Sequence, residues 1–194
     1  MKFLIGIDEA GRGPLAGPVA VGVVALPRGF DMRLLQGVRD SKKMSELGRE
    51  MWFEKLHHFA LERGVRWNVQ FASALYIDTY GIVPAVRRAM ARALNTLGVE
   101  EQGVRILLDG SLKAPARFAT QKTIIGGDDL EPVISLASVA AKVRRDRLML
   151  RYARAYPEYH FDEHKGYGTK DHYAALKKYG FCDIHRRTFC GVEK

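Results

Sequence analysis

The first 26 residues constrain the fold most. "KFLIGID" sets Phe3, Ile5 and Ile7 against Leu4, Gly6 and Asp8, the period of a strand. "VAVGVVAL" (19 to 26) is a second, near-continuous apolar strand. Between them lie three glycines interleaved with one arginine, Arg12, directly after the adjacent acids Asp8 and Glu9. This turn is no nucleotide-binding loop: GxxxxGK[ST] is missing, and the lone GxG is followed by Pro14 and a strand where a helix would have to begin. Either Gly11 and Gly13 supply permissive geometry to a tight hairpin, or their bare backbone lets a ligand approach.

The remaining elements follow from periodicity and caps. Residues 45 to 63 read as an amphipathic helix with Ser45 as cap, and "VRWNVQFAS" alternates Val65, Trp67, Val69 and Phe71 as a strand. A helix over 83 to 98 closes at Gly98. "VRILLDG" and "QKTIIGGDD" are short strands joined by a loop carrying Lys113 and Arg117, and a long helix runs from Pro132 to Pro157. The expected fold is α/β, a mixed five-stranded sheet flanked by helices, formed by a single domain over 1–194 with a basic helical extension from about 158. Trp52, Phe53, Trp67 and Phe71 fall on apolar faces and belong to the core.

The net charge of +9 is uneven. Residues 142 to 194 hold 13 lysines and arginines against 7 acids, a net of +6. Such a balance suits a polyanion, nucleic acid being the usual one, although a merely basic surface explains charge alone equally well. No run approaches a membrane span, and "MKFLIGIDEAG" is too short and too soon acidic for a secretory signal. A cytoplasmic monomer that does not engage membranes, with Cys182 and Cys190 reduced, is the expectation.

Open α/β sheets place their sites at the carboxyl ends of parallel strands. Asp8 with Glu9, Asp109, and Asp128 with Asp129 stand near such ends. If the first strand runs parallel to the one ending at Asp109, acids a hundred residues apart become neighbours. Carboxylates crowded together repel, and divalent cations relieve that cost. Two such ions clamp the attacking and leaving oxygens of a displacement at phosphorus, so an acidic site in a basic protein suits a nuclease. Taken singly, each acid has a plainer reading: Asp109-Gly110 is a turn dipeptide, and Asp128 or Asp129 could cap the helix at Pro132.

"DEAGRGPLAGPV", "DSKKMS" (40 to 45), "LLDG", "GGDD" with "SLASVAAKVRRD", and "HKGYGT" with "IHRRTF" resemble, in order from Ile7 to Phe189, the successive motifs of ribonuclease HII, the type 2 ribonuclease H. The resemblance implies a ribonuclease H-like fold and hydrolysis of the RNA strand of RNA/DNA hybrids, including at one ribonucleotide embedded in duplex DNA, with 3′-hydroxyl and 5′-phosphate products. It implies Asp8, Glu9, Asp109 and Asp128 as ligands of a two-metal Mg²⁺ or Mn²⁺ site. Asp128 is preferred to Asp129 because the family's acid follows the glycine directly. It further implies that the Gly11-Arg12-Gly13 backbone meets the ribose 2′-hydroxyl and that Tyr167 contacts the sugar. "SLAS" and Gly81 depart from the commoner family residues without touching a proposed ligand, and no partner-binding extension is expected after "HRRTF".

Tyr167, between two glycines, is poor core filler and suits a sugar or base contact. Lys42 and Lys43 are candidate phosphate contacts, a solvated loop being the alternative. "HFDEH" (160 to 164) lacks the HExxH pattern and reads as structural. Two rivals remain: another nuclease on the same fold, such as a junction resolvase, and a non-catalytic hybrid-binding module. The first gives no reason for "GRG" beside the acids, and the second has no use for the acids.

Overall fold

The computed structural model describes residues 2–38 and 41–191. Asp40 and the side chain of Lys42 lie outside the described residues. Five strands, β1 (Phe3–Ala10), β2 (Val19–Pro27), β3 (Arg66–Ala72), β4 (Val104–Asp109) and β5 (Gln121–Ile124), form one mixed sheet in the order β3-β2-β1-β4-β5. β1 pairs antiparallel with β2 and parallel with β4, and β4 pairs parallel with β5. The helices are α1 (Glu46–Glu62), α2 (Ala74–Tyr80), α3 (Ile82–Leu97), α4 (Gly127–Leu130), α5 (Pro132–Ala155), α6 (Phe161–His164) and α7 (Lys170–Tyr179). None is long and apolar enough to cross a membrane among the described residues.

Alternation along β1 sorts its side chains between two cores. Ile5 and Ile7 face α3, which presents Ala85, Val86, Ala89, Met90, Ala93, Leu94 and Leu97 at helical spacing. Leu4, Val24 and Leu26 face α5 and α1, where Trp52 and Phe53 are buried. Each fully buried large side chain contributes about 1.5–3 kcal/mol of transfer free energy.

One contact sets the depth of α5. A Cβ on Gly6 would meet the Val133 carbonyl oxygen at 2.2 Å, and one on Gly22 would meet that of Ala137 at 2.3 Å. The helix backbone therefore lies directly on β1 and β2, and its first turns reach the strand end that carries Asp8.

The structure adds two helices that periodicity did not reveal. α2 is only seven residues, capped by the Ser73 side chain on the Tyr76 N–H and ended by Gly81 at φ 87°. α4 forms on the Gly-Gly-Asp-Asp run itself, so Asp128 and Asp129 stand on a helical turn instead of at a strand end. Ser45 caps α1, Gly98 closes α3 in the left-handed region, and Pro132 opens α5, as the sequence predicts.

Candidate metal centre and glycine turn

The parallel register of β1 and β4 pairs Ile7 with Leu108, so Asp8 and Asp109 follow side by side. The Asp109 Oδ1 accepts the Gly127 N–H at 2.8 Å, which ties β4 to α4. The Ser135 hydroxyl, from the first turn of α5, donates to the Asp128 carbonyl at 2.6 Å. Carboxylate oxygens of Asp8, Asp109 and Asp128 thereby come within 4.8 Å of one another.

Asp8 is 3% exposed. Its Oδ1 accepts the Glu9 N–H at 2.7 Å, while its buried Oδ2 has no hydrogen-bond partner. Burial pushes its pKa up to about 8 from 3.8; the Ser138 hydroxyl opposes the shift, and the charges of Glu9 and Asp109 add to it. An orphaned carboxylate oxygen among crowded acids is costly to a metal-free protein. It fits a hard divalent cation, which takes oxygen ligands and favours the ionised acid.

Glu9 lies close enough for its charge to push the Asp8 pKa up. Adjacent strand residues point to opposite faces, and the group of three does not include it. Its Oε1 accepts from the Arg12 guanidinium at 3.0 Å. Asp129 lies outside the group of three and pairs with Lys43, one of the two candidate phosphate lysines. Lys42 belongs to the 3-10 turn Ser41–Lys43, whose Ser41 hydroxyl lies 2.8 Å from that of Ser138.

The turn after β1 is held from below by two buried arginines. Arg186 donates to the carbonyls of Gly11 at 2.7 Å, Arg12 at 2.8 Å and Gly17 at 2.8 Å. Arg145, on α5, donates to Pro18 at 3.0 Å, Ala16 at 3.2 Å and Lys165 at 3.0 Å. Among the described residues neither forms an ion pair. Burial, then the neighbouring Arg145 charge, lowers the Arg186 pKa to about 9; burial also lowers that of Arg145. Gly11 has φ 83°, and a Cβ there would lie 1.9 Å from the Arg145 Nε. Gly13 differs: nothing lies within 4 Å of its Cβ position.

Tyr167 is 44% exposed, with the Arg145 guanidinium 5.9 Å from its ring centroid. Its loop joins the glycine turn through the Leu15 N–H on the Gly166 carbonyl at 2.9 Å. A run of neutral rings supports it. The Cys182 N–H donates to His185 Nδ1 at 2.9 Å, the two Nε2 atoms of His185 and His172 lie 3.0 Å apart, and His172 Nδ1 meets the Tyr167 carbonyl at 2.9 Å. Burial, then His172, pushes the His185 pKa down to about 4, and burial lowers those of His172 and His164.

Ser138, Arg145, Arg186, His172 and His185 are the parts sequence reasoning missed. Arg145 had a signal: it falls on the stripe Ser138, Ala141, Met149 that α5 buries, where a guanidinium needs acceptors. Arg186 had none beyond its place in "IHRRTF".

A family model described as Ribonuclease HII matches residues 5–192. A ribonuclease HII of Endomicrobium trichonymphae is 46% identical over 187 residues, covering 96% of this chain and 85% of the relative. The crystal structure of the ribonuclease H2 from Pyrococcus horikoshii OT3 superposes with a TM-score of 0.77 at 29% identity, over 96% of this chain and 93% of that one. A structure of Bst-RNase HIII in complex with Mn²⁺ shares the fold with a TM-score of 0.66 at 16% identity, over 92% of this chain and 63% of that one. A family model spanning nearly every residue, and a relative this similar along most of both chains, mean that the chain belongs to the ribonuclease HII family.

Proposed function

We propose that the chain is a metal-dependent endoribonuclease that hydrolyses the RNA strand of RNA/DNA hybrids and cuts on the 5′ side of a single ribonucleotide in duplex DNA, leaving a 3′-hydroxyl and a 5′-phosphate. One observation carries the reading. Asp8, one of the three clustered carboxylates, and the glycine turn share one continuous stretch from Asp8 to Gly13, so a phosphate at the acids and a sugar at the turn are adjacent parts of one substrate.

Asp8, Asp109 and Asp128 are the residues that would hold Mg²⁺ or Mn²⁺, with Glu9 as the fourth acid beside them. Bound there, divalent ions supply charge neutralisation at phosphorus and a water of lowered pKa. The Mn²⁺ in the complex of Bst-RNase HIII is in keeping with that assignment. Asp8, ionised on ligation, loses the cost of its orphaned oxygen. The N–H groups of Arg12 and Gly13 donate to the ribose 2′-oxygen, the group by which RNA differs from DNA. The Tyr167 ring lies against the sugar. Lys42 is assigned to phosphate. The bare Cα of Gly13 supports this reading, since nothing in the chain crowds it and a close-approaching sugar would.

The test is single-turnover cleavage of matched duplexes carrying ribose, deoxyribose or 2′-O-methyl ribose at one position. Cutting of the ribose duplex alone, at the bond 5′ to the ribonucleotide, is expected. Comparable cutting of all three would point to a generic nuclease on this fold.

A further inference from the structure

Arg186 is a fully buried cation whose Nε, Nη1 and Nη2 each donate to a backbone carbonyl. A trans peptide is planar, with its C=O and N–H on opposite edges. Drawing the carbonyls of Gly11 and Arg12 onto one guanidinium therefore turns the N–H groups of Arg12 and Gly13 the other way. Nothing lies within 4 Å of the Cβ position of Gly13, so the chain leaves this part of the turn uncrowded. Without a fixed inward partner these two peptide planes could rotate, because the glycines on either side of Arg12 restrain them weakly. A planar fork can hold three carbonyls at set angles, and a lysine ammonium on a flexible stem cannot.

We propose that Arg186 is a positioning residue for ribose recognition: by binding the Gly11 and Arg12 carbonyls it aims the Arg12 and Gly13 amides at the 2′-oxygen of the nucleotide. The inference rests on the ribose-directed reading given above. It also assigns work to α2. Asp78 accepts the Arg187 N–H at 2.8 Å, the Thr188 N–H at 3.1 Å and the Thr188 hydroxyl at 2.6 Å, which pins the segment that delivers Arg186. The turn's discrimination is thus set from more than 170 positions away in sequence, through one side chain and its anchor.

Two variants separate positioning from folding. Arg186→Lys keeps a cation and removes the fork. Asp78→Ala leaves Arg186 in place and loosens its segment from a half-buried position on α2, so it carries the test if the lysine variant does not fold. Three quantities are read: the single-turnover rate on a duplex with one ribonucleotide, the affinity for that duplex relative to its all-deoxy counterpart, and the Mn²⁺ affinity of the free protein. For Arg186→Lys the rate falls about tenfold to a hundredfold, as for a group displaced by about 1 Å. The ribose preference drops toward one, while all-deoxy affinity and Mn²⁺ affinity hold. Asp78→Ala moves the rate and the preference the same way by a smaller factor. Retained preference in both variants, equal loss of affinity for the two duplexes, or a matching loss of Mn²⁺ affinity would overturn the proposal. A wild-type protein that cuts both duplexes alike would overturn the ribose-directed reading instead.

Discussion

Asp8 is a residue the metal-free fold would be more stable without. Its carboxyl is protonated in the folded chain up to a pH of about 8, whereas in the unfolded chain it ionises near 3.8. The folded state therefore holds the extra proton between those values, and stability contributed by this group falls as pH rises across them. Asp8→Asn is expected to raise the unfolding free energy of the metal-free protein at pH 8, measured in urea, by up to a few kcal/mol. It should also abolish Mn²⁺-dependent stabilisation and lower turnover about a hundredfold or more. Equal midpoints for the two proteins at pH 8 would refute the account. The two glycines divide in the same way. Gly11→Ala must strain a positive φ and displace Arg145, which costs about 1–3 kcal/mol in thermal or urea unfolding. Gly13→Ala should leave stability within about 0.5 kcal/mol while cleavage at a ribonucleotide falls sharply. The letters "GRG" made these positions look alike, because a sequence does not tell a glycine required by a neighbouring side chain from one left bare for a ligand.

At the scale of elements, the strands and the long helices were legible because each has a period and a cap. α2 and α4 were not: seven and four residues hold too few turns for a period, and α4 begins on two glycines. Four candidate acids were also legible, but the gathering of three required the β1–β4 register, and the Glu9–Arg12 pair required knowing which way each face of β1 points. The supporting contacts were hidden for another reason. Buried arginines and histidines that bind backbone carbonyls answer to partners far away in sequence. The histidine run under the Tyr167 loop has a measurable consequence. His185 stays neutral in the fold down to a pH of about 4, while an unfolded histidine takes up its proton near 6.5. Its contribution is full above 6.5 and is lost as pH falls through that window, up to about 3 kcal/mol. In urea titrations from pH 7 to pH 4, His185→Gln should flatten the decline relative to wild type; parallel curves would show that the ring does not carry it.

For the molecule as a whole, the charge is uneven, and on the proposed reading it lies where a duplex longer than the site would run. Of the net +9, +6 lies beyond residue 141. On α7, Lys170, Lys177 and Lys178 are exposed. Replacing all three by glutamine should weaken hybrid affinity about equally for every base sequence. The slope of log affinity against log salt should lessen by about 0.9 for each lysine that meets a phosphate. An unchanged slope would assign these lysines to solubility or folding. Through all of this runs α5, whose first turns steady Asp128 and stand beside Asp8, and whose Arg145 grips the segments flanking both the glycine turn and Tyr167. Ser138 and Arg145 are seven residues apart, about 10 Å of helix. On the proposed reading that rod is a caliper: the bond to be cut and the sugar to be checked are spaced by a fixed length of protein. Changing the flanking base pairs would then alter how often the duplex is cut and never where, since the offset belongs to the rod and travels with it from one substrate to the next.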